Sequence, residues 1–302
     1  MVASVTALVW TPPSGEAIEF RSGRAAPYRL ISLDGIGPMS VGPIVRKSPG
    51  QIGETAVDVM VPSRVVVVQT LLQAIDRHEL WNVRAALSRA LVSEPAYGSD
   101  VTTYPLGRLR MTERVDQPDL ELLCIPRSSS LPAPRASVGL VSADIEFFAP
   151  QPWWQSLYDE QLNFGSGAAG LEFPIEFDIE FLSNNVEQEA VNEGDVRAPV
   201  TWRVYGEVTT PKLTNVTTGE AIEVTGDVES DEYLEITTEF GGKRVEIVNT
   251  TTGARTNAMN RLNLSIADFW QLLPGANVVR FEAAVNTSGH ALLLWRSRYS
   301  GI

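Results

Sequence analysis

Residues 171–181 carry the plainest pattern in the chain. Leu171, Phe173, Ile175, Phe177, Ile179 and Phe181 fall on one parity, and Glu172, Glu176, Asp178 and Glu180 on the other. Strict period two over this length predicts a half-buried β-strand. Shorter β-like runs separated by turn residues fill the first part of the chain, at residues 5–10, 17–20, 28–33, 57–61 and 64–68. The last of these is a nearly unbroken valine run and reads as a strand buried on both faces. One segment breaks the β pattern: Leu80, Val83, Leu87 and Leu91 recur at spacings of three and four, one face of a helix over residues 76–92. Asp76 with Glu79 three residues on suits a capping-box start, and Pro95 and Gly98 end the helix. Its other face carries Arg77, Arg84 and Arg89, read as solvated or interfacial. Strands resume at residues 106–111, 120–125 and 138–148, with residues 127–134 between the last two read as a loop.

From residue 192 onwards the turns are unusually legible. Asn192-Glu193-Gly194-Asp195 is a turn cluster, followed by the β-branched and aromatic run 201–208. Asn215-Val216-Thr217-Thr218-Gly219 and Asn249-Thr250-Thr251-Thr252-Gly253 repeat one loop chemistry between alternating runs, a hairpin signal. Pro274-Gly275 predicts a type II turn, because proline presets the first central φ and glycine accepts the positive second one. Residues 278–284 and 291–299 read as the closing strand pair. The Gly/Ser/Ala-rich stretch 163–170 reads as a linker. The chain is therefore expected to form two domains, 1–165 with the helix and 166–302 entirely β, each of ordinary domain size.

The order of these turns carries a family resemblance. The motifs are Asn192-Glu193-Gly194-Asp195, then Pro211, Asn215 and Thr218-Gly219, then Phe269 and Leu273-Pro274-Gly275-Ala276-Asn277, then Trp295-Arg296-Ser297-Arg298-Tyr299. Over about a hundred residues this succession resembles the C-terminal half of the distal tail proteins of long-tailed siphovirus bacteriophages. Asp144-Ile145-Glu146-Phe147-Phe148-Ala149-Pro150-Gln151-Pro152-Trp153-Trp154 resembles the end of that family's first domain. The resemblance implies a ring-forming N-terminal β domain with one helix and a galectin-like C-terminal β-sandwich. It also implies a homohexameric ring between the tail tube and the host-recognition apparatus. The implied partners are further copies of the chain, the tail tube protein and tail-associated, baseplate or receptor-binding proteins. The implied location is the tail tip or baseplate of the virion, assembled in the host cytoplasm.

Composition narrows the alternatives. Thirty-seven acidic against 24 basic residues give a net charge of −13. That argues against sequence-specific nucleic-acid binding, which needs a basic footprint on the phosphates. A single cysteine, Cys124 within Leu122-Leu123-Cys124-Ile125, excludes an intrachain disulfide framework and reads as a buried strand thiol. No apolar run approaches the ~20 residues that span a bilayer, and the N-terminus lacks a secretion signal. A soluble protein made inside the cell is expected, with no membrane partner. The Asn-x-Ser/Thr triplets at Asn215, Asn249, Asn263 and Asn286 then read as turn chemistry rather than glycosylation sites.

Letter matches to chemical motifs fail on context. Gly165-Ser166-Gly167-Ala168-Ala169-Gly170 spells a dinucleotide fingerprint, but a strand containing Pro174 follows it where a helix is required. Carboxylates on one face of residues 172–180 lie ~7 Å apart, too far for neighbours to share a small cation unaided. Asp227, Glu229 and Asp231 begin like a calcium loop, but Glu232 replaces its glycine and Thr238 its bidentate carboxylate. His78 and His290 have no nucleophile elbow beside them, Gly241-Gly242-Lys243 is an incomplete phosphate loop, and no Cys/His cluster suits zinc. No catalytic, cofactor-binding or metal-binding residue is assigned, no cofactor is expected, and the chain reads as a structural protein rather than an enzyme. Trp153, Trp154, Trp202, Tyr205, Trp270 and Trp295 leave a lectin-like module open, one that stacks host sugars on aromatic rings, and an enzyme such as a glycosidase stays open only because sequence does not locate carboxylate pairs.

Overall fold

The computed structural model describes residues 7–23, 26–39, 41–92, 105–112, 118–132, 140–165, 185–286 and 289–302. The linker beyond Gly165, the alternating segment 171–181, and Pro95 and Gly98 lie outside the described residues. The chain divides into two compact units, Met1–Leu157 together with Tyr299–Ile302, and Tyr158–Arg298. It is mainly β, with one α-helix among the described residues.

The first unit is organised on a nine-stranded sheet. Its order is Arg298–Tyr299, Trp154–Ser156, Leu120–Ser130, Gly107–Thr112, Ala7–Thr11, Ile18–Arg21, Tyr28–Asp34, Arg64–Gln73 and Leu140–Ala149. Leu120–Ser130 is long enough to pair twice. Leu120 to Cys124 face Gly107–Thr112, and Ile125 to Ser130 face Leu140–Ala149, so the sheet closes on itself. Leu8, Trp10, Phe20, Val66, Leu109, Leu122, Cys124 and Phe147 fill the interior. The helix Arg77–Leu91 packs Leu80, Leu87 and Ala90 onto this core, with Val83 and Leu91 at its border. Trp10 Nε1 donates to Ala90 O at 2.8 Å and Tyr28 Oη to Val83 O at 2.9 Å, fixing the helix to the sheet. Asp76 is the N-cap and accepts from Glu79 N, while the Glu79 carboxylate accepts from Ile75 N. The reciprocal start expected from the sequence is thus present, displaced by one residue on its return arm.

Two readings of this region need correction. The valine run is buried on one face only. Arg64, Val66, Val68, Thr70 and Leu72 of Arg64–Gln73 point into the core, and Val65 and Val67 are half-buried. Both its neighbours, Tyr28–Asp34 and Leu140–Ala149, run antiparallel, and antiparallel sheets commonly leave one face outside the core. Residues 127–130 are not a loop. Ser128, Ser129 and Ser130 continue the strand beyond a register shift, opposite Glu146, Ile145 and Asp144.

The second unit is a sandwich of two antiparallel layers. One runs Glu160–Phe164, His290–Trp295, Ala198–Tyr205, Glu232–Thr237, Arg244–Asn249, Arg255–Asn257, and the other Asn185–Asn192, Gly275–Glu282, Lys212–Asn215, Glu220–Glu223. Alternate residues of both meet in one core, where Trp202 and Phe164 approach Phe281 at ring distances of 6.0 and 6.3 Å. Glu160–Phe164 pairs along its length with His290–Trp295. It therefore belongs to this unit, although the boundary expected from the sequence fell after residue 165. The twin loops form as their sequences specify. Asn215 Oδ1 accepts from Thr217 N and Thr218 N, and Asn249 Oδ1 from Thr251 N and Thr252 N. Gly219 and Gly253 close each turn at φ +79° and +70°, a region open to glycine without a Cβ clash.

Candidate functional site

Residues 42–60 form a two-stranded antiparallel hairpin, Gly42–Arg46 with Thr55–Met60, paired with no other sheet among the described residues. Pro43 faces Val59 and Val45 faces Ala56, with a register shift between Ile44 and Val45. Ile44, Val45, Val57, Val59 and Met60 are all exposed, Val57 by 62 % and Met60 by 60 %, and Ile52 near the tip is fully exposed. An isolated hairpin is at best marginally stable in water, and among the described residues no layer covers these side chains. Scattered exposed leucines or valines are ordinary, but a contiguous apolar arm marks an interaction surface.

By its apolar pattern the 57–61 run is expected to be another strand of the domain. Neither the partner strand Gly42–Arg46 nor the exposure of both shows in that pattern. The available clue was apolar residues on both parities, Val57, Val59 and Val61 with Met60, bordered by Pro49-Gly50 and Gly53.

The hairpin springs from a rigid base. Arg64, the first residue after it in the large sheet, is 3 % exposed. Its Nε donates to Pro152 O at 2.7 Å, and its Nη1 to Gly35 O at 2.6 Å and Gly37 O at 2.9 Å. Its Nη2 donates to Ser300 O. Burial lowers the Arg64 pKa from the ordinary guanidinium value. The cation is held by carbonyl dipoles, and no carboxylate among the described residues pairs with it.

In the second unit a charged cluster occupies the sheet face away from the core. The Glu235 side chain is 2 % exposed. Its carboxylate accepts from Arg203 Nε and Arg255 Nη1, each at 2.8 Å, with Arg244 Nη2 at 3.5 Å. Burial pushes the carboxyl pKa up, but the hydrogen bonds and charges of Arg255 and Arg203 outweigh it and hold it below the usual carboxylate range. Arg255 also reaches Glu246 at 2.6 Å. Beside this network Tyr205 stacks between Tyr233 and His290, with ring centroids 5.0 Å away on either side.

The other residues singled out in the sequence serve structure. Trp154, Trp202, Trp270 and Trp295 are buried, which removes them as stacking platforms and leaves Trp153 and Tyr205 partly exposed. Asp227 accepts from Thr209 Oγ1 and Asp231 from Asn249 Nδ2. Among the described residues no three His, Cys, Asp or Glu side chains gather as a metal site. Arg84 donates to Leu131 O and lies 5.4 Å from the Trp81 ring. Burial pushes the Cys124 thiol pKa far above its normal value.

Residues 193–299, almost all of the second unit, match the family model described as the siphovirus-type tail component, C-terminal domain. Over these residues the chain is similar to siphovirus-type tail components. No curated protein matches the sequence. Among solved structures, a likeness of fold extends over both units. The SPP1 Dit (gp 19.1) protein, described as a paradigm of hub adsorption apparatus in Gram-positive infecting phages, aligns with TM-score 0.65 at 11 % identity. The alignment covers 97 % of this chain and 98 % of that one. A chain of the phage P2 baseplate in its activated conformation with calcium aligns with TM-score 0.52 at 11 % identity, over 98 % and 99 %. At these identities the likeness establishes the fold, and the tail-component assignment rests on the family model.

Proposed function

We propose that this tail component is the hub of a siphovirus tail tip, a ring of six copies between the tail tube and the host-recognition apparatus. The first unit closes the ring, and the galectin-like second unit carries the docking surface for baseplate or receptor-binding proteins. Its role is geometric, and it has no catalytic step. The observation that carries this reading is the tail-component domain at residues 193–299 in a chain that shares its fold, nearly end to end, with a protein described as an adsorption hub. The hairpin 42–60 supplies the surface such an assembly requires. A closed ring is built from head-to-tail contacts, in which a protruding element of one copy lies on a different surface of the next. Each contact is expected to bury on the order of 800 Å² per partner. The assembly belongs to the virion tail tip and forms in the host cytoplasm. Negative-stain images of the purified protein, alone and mixed with the tail tube protein, test it. Closed six-fold rings are expected; only isolated particles of single-copy size under both conditions would refute it.

The row of His290, Tyr205 and Tyr233 beside the Arg203–Glu235–Arg255 network favours one second reading, a lectin-like surface for host glycans on the same unit. Glycan-array binding that Tyr205→Ala abolishes would support it, and an array without a signal would remove it.

A further inference from the structure

The base of the hairpin is held by residues that come from the far end of the sequence. The chain leaves the first unit at Leu157, builds the whole second unit, and returns as Tyr299–Ile302. Ile302 N donates to Ile36 O at 3.0 Å. The backbone of Gly301 lies directly on that of Gly37 and Pro38. A Cβ at residue 301 would fall 2.5 Å from Gly37 C and from Pro38 N, a distance at which the backbone must shift. Tyr299 and Ile302 pack against the core of the first unit, as does Ile36. Arg64 completes the arrangement, because one guanidinium binds Gly35 O and Gly37 O on the rising side of the hairpin and also Ser300 O. Residues 35–38 lead into the hairpin and Arg64 leads out of it, so both of its roots are pinned at one point.

We propose that Arg64 and Tyr299–Ile302 form a latch that sets the direction of the hairpin arm, and that the arm is competent to engage a second copy of the chain only when the latch is closed. The coupling to assembly rests on the reading of the hairpin as the contact between copies. The latch itself does not. Backbone-on-backbone packing and four carbonyl contacts from one buried cation leave the roots little freedom, whereas the hairpin beyond them pairs with no other sheet among the described residues. Without the returning segment, Ile36 O loses its donor, Arg64 Nη2 loses its acceptor, and the 35–38 backbone loses the surface it lies on. A buried cation with an unmet donor would draw water into the base. The order of synthesis adds a consequence. Residues 299–302 emerge after the second unit, so a chain that has not completed that unit presents an unset arm and does not enter the assembly.

The test is hydrogen exchange on the full chain, comparing wild type with Gly301→Val, and with Arg64→Lys, which keeps the charge but not the planar fork. The amide of Ile302, which donates to Ile36 O at the root, is expected to exchange at least ten-fold faster in either variant, with those of Glu232–Thr237 in the second unit unchanged. The concentration needed for assembly, read by mass photometry, is expected to rise at least ten-fold. If one variant fails to fold, which loss of protection across both units would reveal, the other decides. An Ile302 amide as protected as in wild type would overturn the latch. Loosened roots with assembly at the wild-type concentration would overturn the coupling. A wild-type chain that never assembles, but whose root still loosens on Gly301→Val, would sink the ring reading while supporting the latch.

Discussion

Glu235 shows how one side chain can organise a surface. Its carboxylate is nearly inaccessible, and three arginines from three different strands converge on it. Because its folded-state pKa is depressed, the network stabilises the fold fully above the unfolded carboxyl value of about 4.3 and loses that contribution as the pH falls through the folded value. Glu235→Gln is expected to cost about 2 kcal/mol near neutral pH, below the ~3–5 kcal/mol of a fully buried pair, since the arginines remain partly in water. It should also flatten the acid limb of stability, measured by urea unfolding from pH 3 to 7; an acid limb identical to wild type would contradict the account. Cys124 gives a simpler expectation. Its thiol is buried in the sheet interior and its thiolate strongly disfavoured, so a thiol reagent should label it only after unfolding, and rapid native labelling would show the core to be open. Its burial was legible from the apolar residues on either side. Arg64 was not, because nothing local distinguishes an arginine that ends among four carbonyls from one in solvent.

At the scale of elements, legibility followed the presence of a periodic apolar face or a turn that demands a particular residue. The helix, the twin Asn-to-Gly loops and the Pro274-Gly275 turn all have such signatures, and Gly275 indeed sits at φ +87°. Removing the Asp76 cap by Asp76→Ala should lower stability by about 1 kcal/mol with a matching fall in thermal midpoint, and no change at all would show the cap to be redundant. The strand at residues 127–130 escaped because serines on a sheet face carry no apolar rhythm, and only pairing with Leu140–Ala149 reveals them. The valine run misled in the opposite sense, since an unbroken apolar stretch does not say how many layers cover it. The hairpin was half-seen for the same reason: sequence shows apolar residues, not the lack of a layer beneath them. Ile44→Asp with Val59→Asp places charges on side chains already in water. Stability of the separated copy should therefore change by no more than about 0.5 kcal/mol, while self-association is lost. Unaltered association in this double variant would take the hairpin out of the interface.

Across the whole molecule, the chain makes two passes through its first unit and one through its second. A cut after residue 165 would strip Glu160–Phe164 from the second unit and leave His290–Trp295 as an open edge. Residues 158–298 are therefore expected to unfold cooperatively as an all-β fragment, and residues 166–298 to aggregate or melt at lower temperature. Equal behaviour of the two fragments would deny that strand its part in the sandwich. The turns that carried the family resemblance lie within residues 192–299, nearly the same stretch that the family model matches. The proposed ring would depend on surfaces whose partners lie on other copies, and no single sequence contains them. The proposed closure of six copies of this chain into a ring is read by native mass spectrometry of the protein at rising concentration. The account predicts a species of six copies that the hairpin double variant does not form; a single copy at every concentration, with the tail tube protein present as well as absent, would contradict it.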